Sequence, residues 1–327
     1  MDFAQYPFRM KLRLRPILLI AALAYVASLA AEPAKPPLAG ERVLWLGDSI
    51  TQAGGYVTFV EYYLARAYPQ EQFDIVAIGL SSETVSGLTE STHGSIRPCA
   101  LERLPRALEL VKPTVVVACY GMNDGIYHPP ATARQQAFES GVLSFLSICR
   151  AAQARTILLT PPPFDRMAPG RNLRPTDAPV FGYDSPYEAY DEVLGSFARW
   201  ETSLSSAHAQ VIDLHAGVNA YLARRRADQP NFTLAPDAVH PGDAGHLLMA
   251  QLVLRGLGFE FPPTAMDLDA ELSRIHADPL YPLVKQRREA RSEGWRAAVG
   301  LPGAAANAET TCANLQSKID ALRRPAK

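Results

Sequence analysis

A serine hydroxyl, an imidazole and a carboxylate become a nucleophilic unit when aligned, and the chain carries candidates for all three. In "VLWLGDSITQAGG" (43–55) the apolar run Val43-Leu44-Trp45-Leu46 breaks at Gly47 and passes into Asp48 and Ser49. Gly, Asp and Ser are common turn formers, so the stretch reads either as an ordinary strand end or as a turn that presents a hydroxyl. A serine nucleophile needs a base, a group that orients the base, and donors aimed at the developing oxyanion. Histidine is the usual base, and the chain has 7. His240 stands out in "APDAVHPGDAGH", because Asp237 precedes it by three residues, within one turn's reach of the imidazole N–H. His93 and His128 read as loop residues, His208 and His276 as members of polar helical stretches, and His246 as an early helix residue. An Asp-x-x-His pair is frequent by chance, so the elements around it must decide.

Five apolar runs have the length and β-branched content of buried strands: "VLWLG" (43–47), "FDIVAIG" (73–79), "TVVVACYG" (114–121), "RTILLT" (155–160) and "QVIDLH" (210–215). Stretches near 56–68, 99–111, 132–154, 187–208, 217–227 and 243–257 predict helices. The alternation predicts an α/β fold with a mostly parallel five-stranded sheet covered on both faces and joined by right-handed crossovers. Sheets of this kind bind ligands beyond the carboxyl ends of their strands. The residues that follow each run are Gly47-Asp48-Ser49, then Gly79 with "LSSETVSG", then "GMNDG", then "PPPFD". All belong on one rim, and a base at His240 reaches the same rim.

Together the blocks resemble the SGNH hydrolases, also called GDSL esterases. "GDSIT" matches their nucleophile block, "IGLSSET" the glycine block, "GMND" the asparagine block and "DAVHP" the Asp/His block, in order and over roughly 43–257. Each motif alone is loose; four in register are specific. Two departures are visible: Ile50 stands where the name-giving motif has Leu, and Ala77 where an Asn commonly precedes the glycine. The resemblance implies a three-layer α/β/α, flavodoxin-like fold and a serine esterase that needs no cofactor. It implies Ser49 as nucleophile, His240 as base and Asp237 as its orienter. It further implies oxyanion donors in the Ser49 N–H, the Gly79 N–H and the Asn123 amide. The α/β-hydrolases place their serine in G-x-S-x-G instead, a pentapeptide the chain lacks.

Relatives in that family include lipases, thioesterases, lysophospholipases and carbohydrate acetylesterases. The segment from Pro161 to Tyr187 is long for an αβ connection and mixes Phe164, Phe181, Tyr183 and Tyr187 with Arg166, Arg171, Arg174, Asp177 and Asp184. It reads as a binding wall or as an inert surface loop. An aromatic and polar wall suits sugars better than long acyl chains, so the expected substrate is a small-molecule or saccharide ester, most of all an O-acetylated saccharide. Tyr127, His128 and Phe164 are candidates to line the cleft. A lipolytic esterase or lysophospholipase and an acyltransferase using the same residues are the alternatives.

Composition bounds the partners. A net charge of -1 with 20% charged residues carries no basic patch for nucleic acid, and clusters such as Arg224-Arg225-Arg226 read as solvated helix faces. No Cys/His cluster has zinc-ligand spacing, so no metal is expected. The N-terminus is ordered like a secretory signal: Arg9, Lys11, Arg13 and Arg15, then "PILLIAALAYVASLAA", with Ser28 and Ala30 near a cut site. Residues 1–30 are expected to be a cleaved signal peptide, leaving an exported protein with no stable membrane insertion. A Pro/Ala linker (31–41), a hydrolase domain (42–260) and a helical extension (261–327) packed on that domain follow. The extension reads as charged helices broken by Pro279 and Pro282, then a terminal helix. Cys99, Cys119, Cys149 and Cys312 allow three pairings that sequence does not rank, with Cys119 and Cys149 reading equally as buried thiols.

Overall fold

The computed structural model describes residues 36–205, 209–262, 267–302 and 307–323. The expected signal segment, the first part of the linker and His208 lie outside them. Residues 37–327 make one compact unit. Five parallel strands run β1 (Arg42–Gly47), β2 (Asp74–Gly79), β3 (Val115–Cys119), β4 (Arg155–Leu159) and β5 (Gln210–Ile212), in the order β2-β1-β3-β4-β5. Helices α1 (Ser49–Ala53), α2 (Gly55–Ala67), α3 (Ala100–Val111), α4 (Thr132–Ala151), α5 (Tyr190–Ser203), α6 (Leu214–Asp228) and α7 (Asp243–Gly256) alternate with and follow them. Val43, Leu44, Trp45 and Leu46 of β1 are all buried, as expected of an interior strand covered on both faces. The winding reverses at β1, with β2 on one side and β3 on the other. That switch point puts the ends of β1 and β3 at the ligand crevice of such a sheet.

The elements differ from the expected ones where a cap intervenes. β5 ends early because the Asp213 carboxylate accepts the Ala216 N–H and starts α6 at Leu214. Beyond the sheet lie α8 (Leu268–His276), α9 (Leu280–Ala298) and α10 (Ala308–Arg323). The extension breaks between α8 and α9 at Pro279, as expected, and Pro279 caps α9; Pro282 does not break it but sits in its first turn. A fixed φ and a missing N–H suit a helix start.

α9 packs on β2, α2 and α10. Buried arginines of the extension reach main-chain carbonyls: Arg288 donates to Ala53 O (3.3 Å), Arg323 to Ala65 O (3.2 Å) and Arg296 to Gly79 O. At the other end Leu38 and Ala39 are buried, so the last linker residues belong to the core. All four cysteines are free thiols, Cys119 and Cys149 buried. Among the described residues no helix is long and apolar enough to cross a membrane.

Candidate active site

At the end of β1 the chain has room only for glycine. A Cβ on Gly47 would lie 2.2 Å from Thr51 Oγ1 and 2.7 Å from the Cys119 carbonyl oxygen. The chain turns there into α1, whose N-cap is Asp48, accepting the Ile50 N–H at 2.9 Å. Ser49 is therefore the first helical residue, where amides have no intrahelical carbonyl to bond. Burial pushes the Asp48 carboxyl up to about 7, against the opposing Ile50 N–H.

Ser49 Oγ lies 2.8 Å from His240 Nε2, and His240 Nδ1 lies 2.7 Å from Asp237 Oδ2. The other Asp237 oxygen accepts the backbone N–H groups of Val239 (3.0 Å) and His240 (2.7 Å). This turn explains the three-residue spacing: one carboxylate holds both the main chain and the ring of the same histidine. Burial raises the Asp237 pKa, but the bonds from His240 and Val239 outweigh it and hold the carboxyl below its usual range. A hydroxyl, an imidazole and a carboxylate aligned in this way can move a proton from oxygen to nitrogen as the oxygen attacks.

Asn123 lies in the loop after β3 and lines the cleft with Ser49. One amide hydrogen goes to Glu83 O (3.1 Å), and its Oδ1 accepts the Tyr127 hydroxyl (2.9 Å). The second amide hydrogen is left for the cleft. Gly79 is a correction. It does not line the cleft; it pairs in register with Gly47 and gives its carbonyl to Arg296. A Cβ there would sit 2.1 Å from Gln52 N, so glycine is required because α1 crosses directly over it.

Two and three residues on, Ser81 and Ser82 do line the cleft. Glu83 N bonds Leu80 O across them, and Ser82 takes φ 64 at the third turn position. Such a turn needs positive φ there and usually recruits Gly or Asn.

Buried charges fix these loops. Arg103 makes two 2.5 Å bonds to the Glu83 carboxylate, which also accepts Tyr120 OH at 2.6 Å. Arg97 bonds Glu90 twice at 2.6 Å and donates to Ser82 O at 3.2 Å, so the pair grips the turn from inside the cleft wall. Asp124 accepts Val85 N and Ser86 N, both at 2.8 Å, and ties the Asn123 loop to the Ser82 loop. Asp165 N donates to Ala238 O at 2.9 Å, while its carboxylate holds Arg226 at 2.6 Å; this steadies the Asp237–His240 turn.

The resulting cleft holds about 280 Å³. Of the three expected wall residues, Tyr127 lines it. His128 packs against Phe181 with ring centroids 5.2 Å apart, and burial lowers its pKa. Phe164 is buried against the edge of Tyr190 at 5.6 Å, with its N–H on Asp191. Neither lines the cleft: His128, after β3, is turned onto Phe181, and Phe164, after β4, is buried in the core. Sequence reasoning missed Arg97, Glu90, Thr92 and His93, which line it from the loop before α3.

Residues 45–248 match the GDSL-like lipase/acylhydrolase family. An acetylxylan esterase of Geobacillus stearothermophilus is 26% identical over 243 residues, 68% of this chain and 96% of that protein. The solved structure of a mutant acetyl-xylooligosaccharide esterase from the same organism superposes with a TM-score of 0.51 at 24% identity, over 69% of this chain and 98% of that one. A gut microbial diltiazem-metabolizing enzyme gives 0.50 at 21% identity over 70% of this chain, which spans about half (49%) of that structure's length. The likeness covers the sheet and every block on its rim: the chain belongs to the GDSL-like lipase/acylhydrolase family and is a carboxylic ester hydrolase.

Proposed function

We propose that the chain removes acetyl groups from O-acetylated saccharides through an acyl-Ser49 intermediate. The observation that carries this reading is the lining of the cleft: Ser81, Ser82, Glu90, Thr92, Arg97 and Asp184 around the nucleophile, in about 280 Å³. A long acyl chain there would strip water from the exposed Ser81, Thr92 and Asp184 without replacing their hydrogen bonds, which is costly. Sugar hydroxyls can replace those bonds, and the Tyr183 ring offers a face to a sugar. Similarity to an acetylxylan esterase supports the same substrate class.

In this mechanism Ser49 Oγ attacks the ester carbonyl while His240 Nε2 takes its proton. The proton passes to the leaving alcohol, and Asp237 stabilises the imidazolium between the two transfers. Water then attacks the acyl-serine with His240 again as base. The oxyanion meets the Ser49 N–H, the Asn123 amide and, in place of Gly79, the Ser82 N–H. One such donor is worth on the order of 3 kcal/mol in the transition state.

Hydrolysis of p-nitrophenyl acetate, butyrate and octanoate, with Ser49→Ala as control, tests the reading. A preference for acetate that disappears in the variant is expected, followed by release of acetate from acetylated oligosaccharides. Preference for octanoate would replace the saccharide with a lipid. Acetyl transfer to an added sugar in place of hydrolysis would make the enzyme a transferase. Turnover by Ser49→Ala would remove the nucleophile. Export belongs to the same proposal, and N-terminal sequencing of protein recovered outside the cytoplasm should find a start near residue 31.

A further inference from the structure

A carboxylate offers about four acceptor positions, and Asp237 fills all four. Val239 N, His240 N and His240 Nδ1 come from its own turn. The fourth donor is foreign to it: Tyr183 OH reaches Oδ2 at 3.3 Å from 54 residues upstream. Tyr183 also lines the cleft, so one side chain touches both the space for substrate and the third member of the triad. Burial and the neighbouring Asp237 carboxylate raise its pKa, which keeps it a protonated donor.

The long loop after β4 is built to hold this side chain still. Arg171 lies over the Tyr183 ring at 4.8 Å and donates to its carbonyl. The ring meets Tyr127 edge-on at 5.6 Å, and Tyr127 is in turn bonded to Asn123. Thr92 bonds Phe181 O at 3.3 Å, and a Cβ on Gly182 would lie 2.0 Å from that same threonine hydroxyl. The loop is thus pinned from both sides of the cleft, with the Tyr183 hydroxyl left to point at the carboxylate.

We propose that Tyr183 is a positioning residue for the ester hydrolysis, fixing the Asp237 carboxylate through Oδ2 and linking the cleft wall to the orientation of His240. The proposal rests on the triad reading above. It is tested by kcat and KM for p-nitrophenyl acetate in Tyr183→Phe, Asp237→Ala and the double variant. Phe keeps the ring and its packing, and thermal melts check that each variant folds. Tyr183→Phe should lower kcat about tenfold with KM within about twofold, the signature of an interaction used in the transition state. In the Asp237→Ala background the same change should alter kcat by less than about twofold, because its target is gone. Wild-type kcat in Tyr183→Phe, an effect on KM alone, or an equal loss in both backgrounds would overturn the proposal. Turnover by Ser49→Ala would instead bring down the triad itself, so the two failures are distinguishable.

Discussion

Helix α1 has two unlike neighbourhoods. On the cleft side Ser49 meets His240 and Asp237, whose side chains are 38% and 40% exposed. That side is held by a few directed hydrogen bonds and is open to solvent. On the far side α9 lies against the end of the helix, and the Arg288 side chain, 6% exposed, bonds Ala53 O and Thr58 Oγ1. Arg296 does the same for Gly79 O, beside the point where α1 crosses β2. One side must admit water and substrate, so it cannot be sealed. The other is braced by cations that carbonyls and hydroxyls satisfy, around a smaller hollow of about 170 Å³. Chemistry and support are separated by the thickness of a single helix.

Substitutions on the two sides should therefore fail differently. Asn123→Ala should lower kcat on the order of 100- to 1,000-fold, the usual loss for one oxyanion donor; a loss below about tenfold would take the amide out of the reaction. Arg288→Met should leave kcat within about threefold and cost about 1–3 kcal/mol of unfolding free energy, because it strips bonds from buried acceptors. Urea unfolding beside initial rates would show this, and a collapse of kcat at unchanged stability would erase the contrast.

The smallest effect concerns the boundary residue, Asp48, whose carboxyl rises from the ordinary 3.8 to about 7 on burial. A carboxyl whose pKa is raised by folding contributes stability that is complete below its unfolded pKa and lost as pH rises through about 7. Asp48→Asn keeps the cap and removes the titration. Its melting temperature should gain on the wild type between about pH 5 and pH 8; parallel curves would mean that Asp48 does not titrate in that window.

What could be read in advance was local. Ser49 follows a strand within three residues, and the Asp237–His240 turn closes on itself, so short motifs encode both. The strands were legible because buried parallel strands are continuous apolar runs. Gly79 misled because two different needs call for glycine: space under a crossing helix, and a left-handed turn. Here the first falls on Gly79 and the second on Ser82, a residue whose type gives no hint of positive φ. The Glu83–Arg103 pair and the Tyr120 bond join residues 20 and 37 positions apart, and no periodicity marks them. Tyr183 was visible as an aromatic in a long loop, but its reach to Asp237 depends on how Arg171 and Thr92 fold that loop.

The Arg288 contact also sets a schedule. Its guanidinium is made 235 residues after the Ala53 carbonyl that it holds. At ribosomal rates of 5–20 residues per second, that interval is roughly 10 to 50 s. Until it has passed, the nascent chain owns Ser49 but not the far wall of the helix that carries it. A fragment stopped before α9 would contain every family motif and still lack that wall.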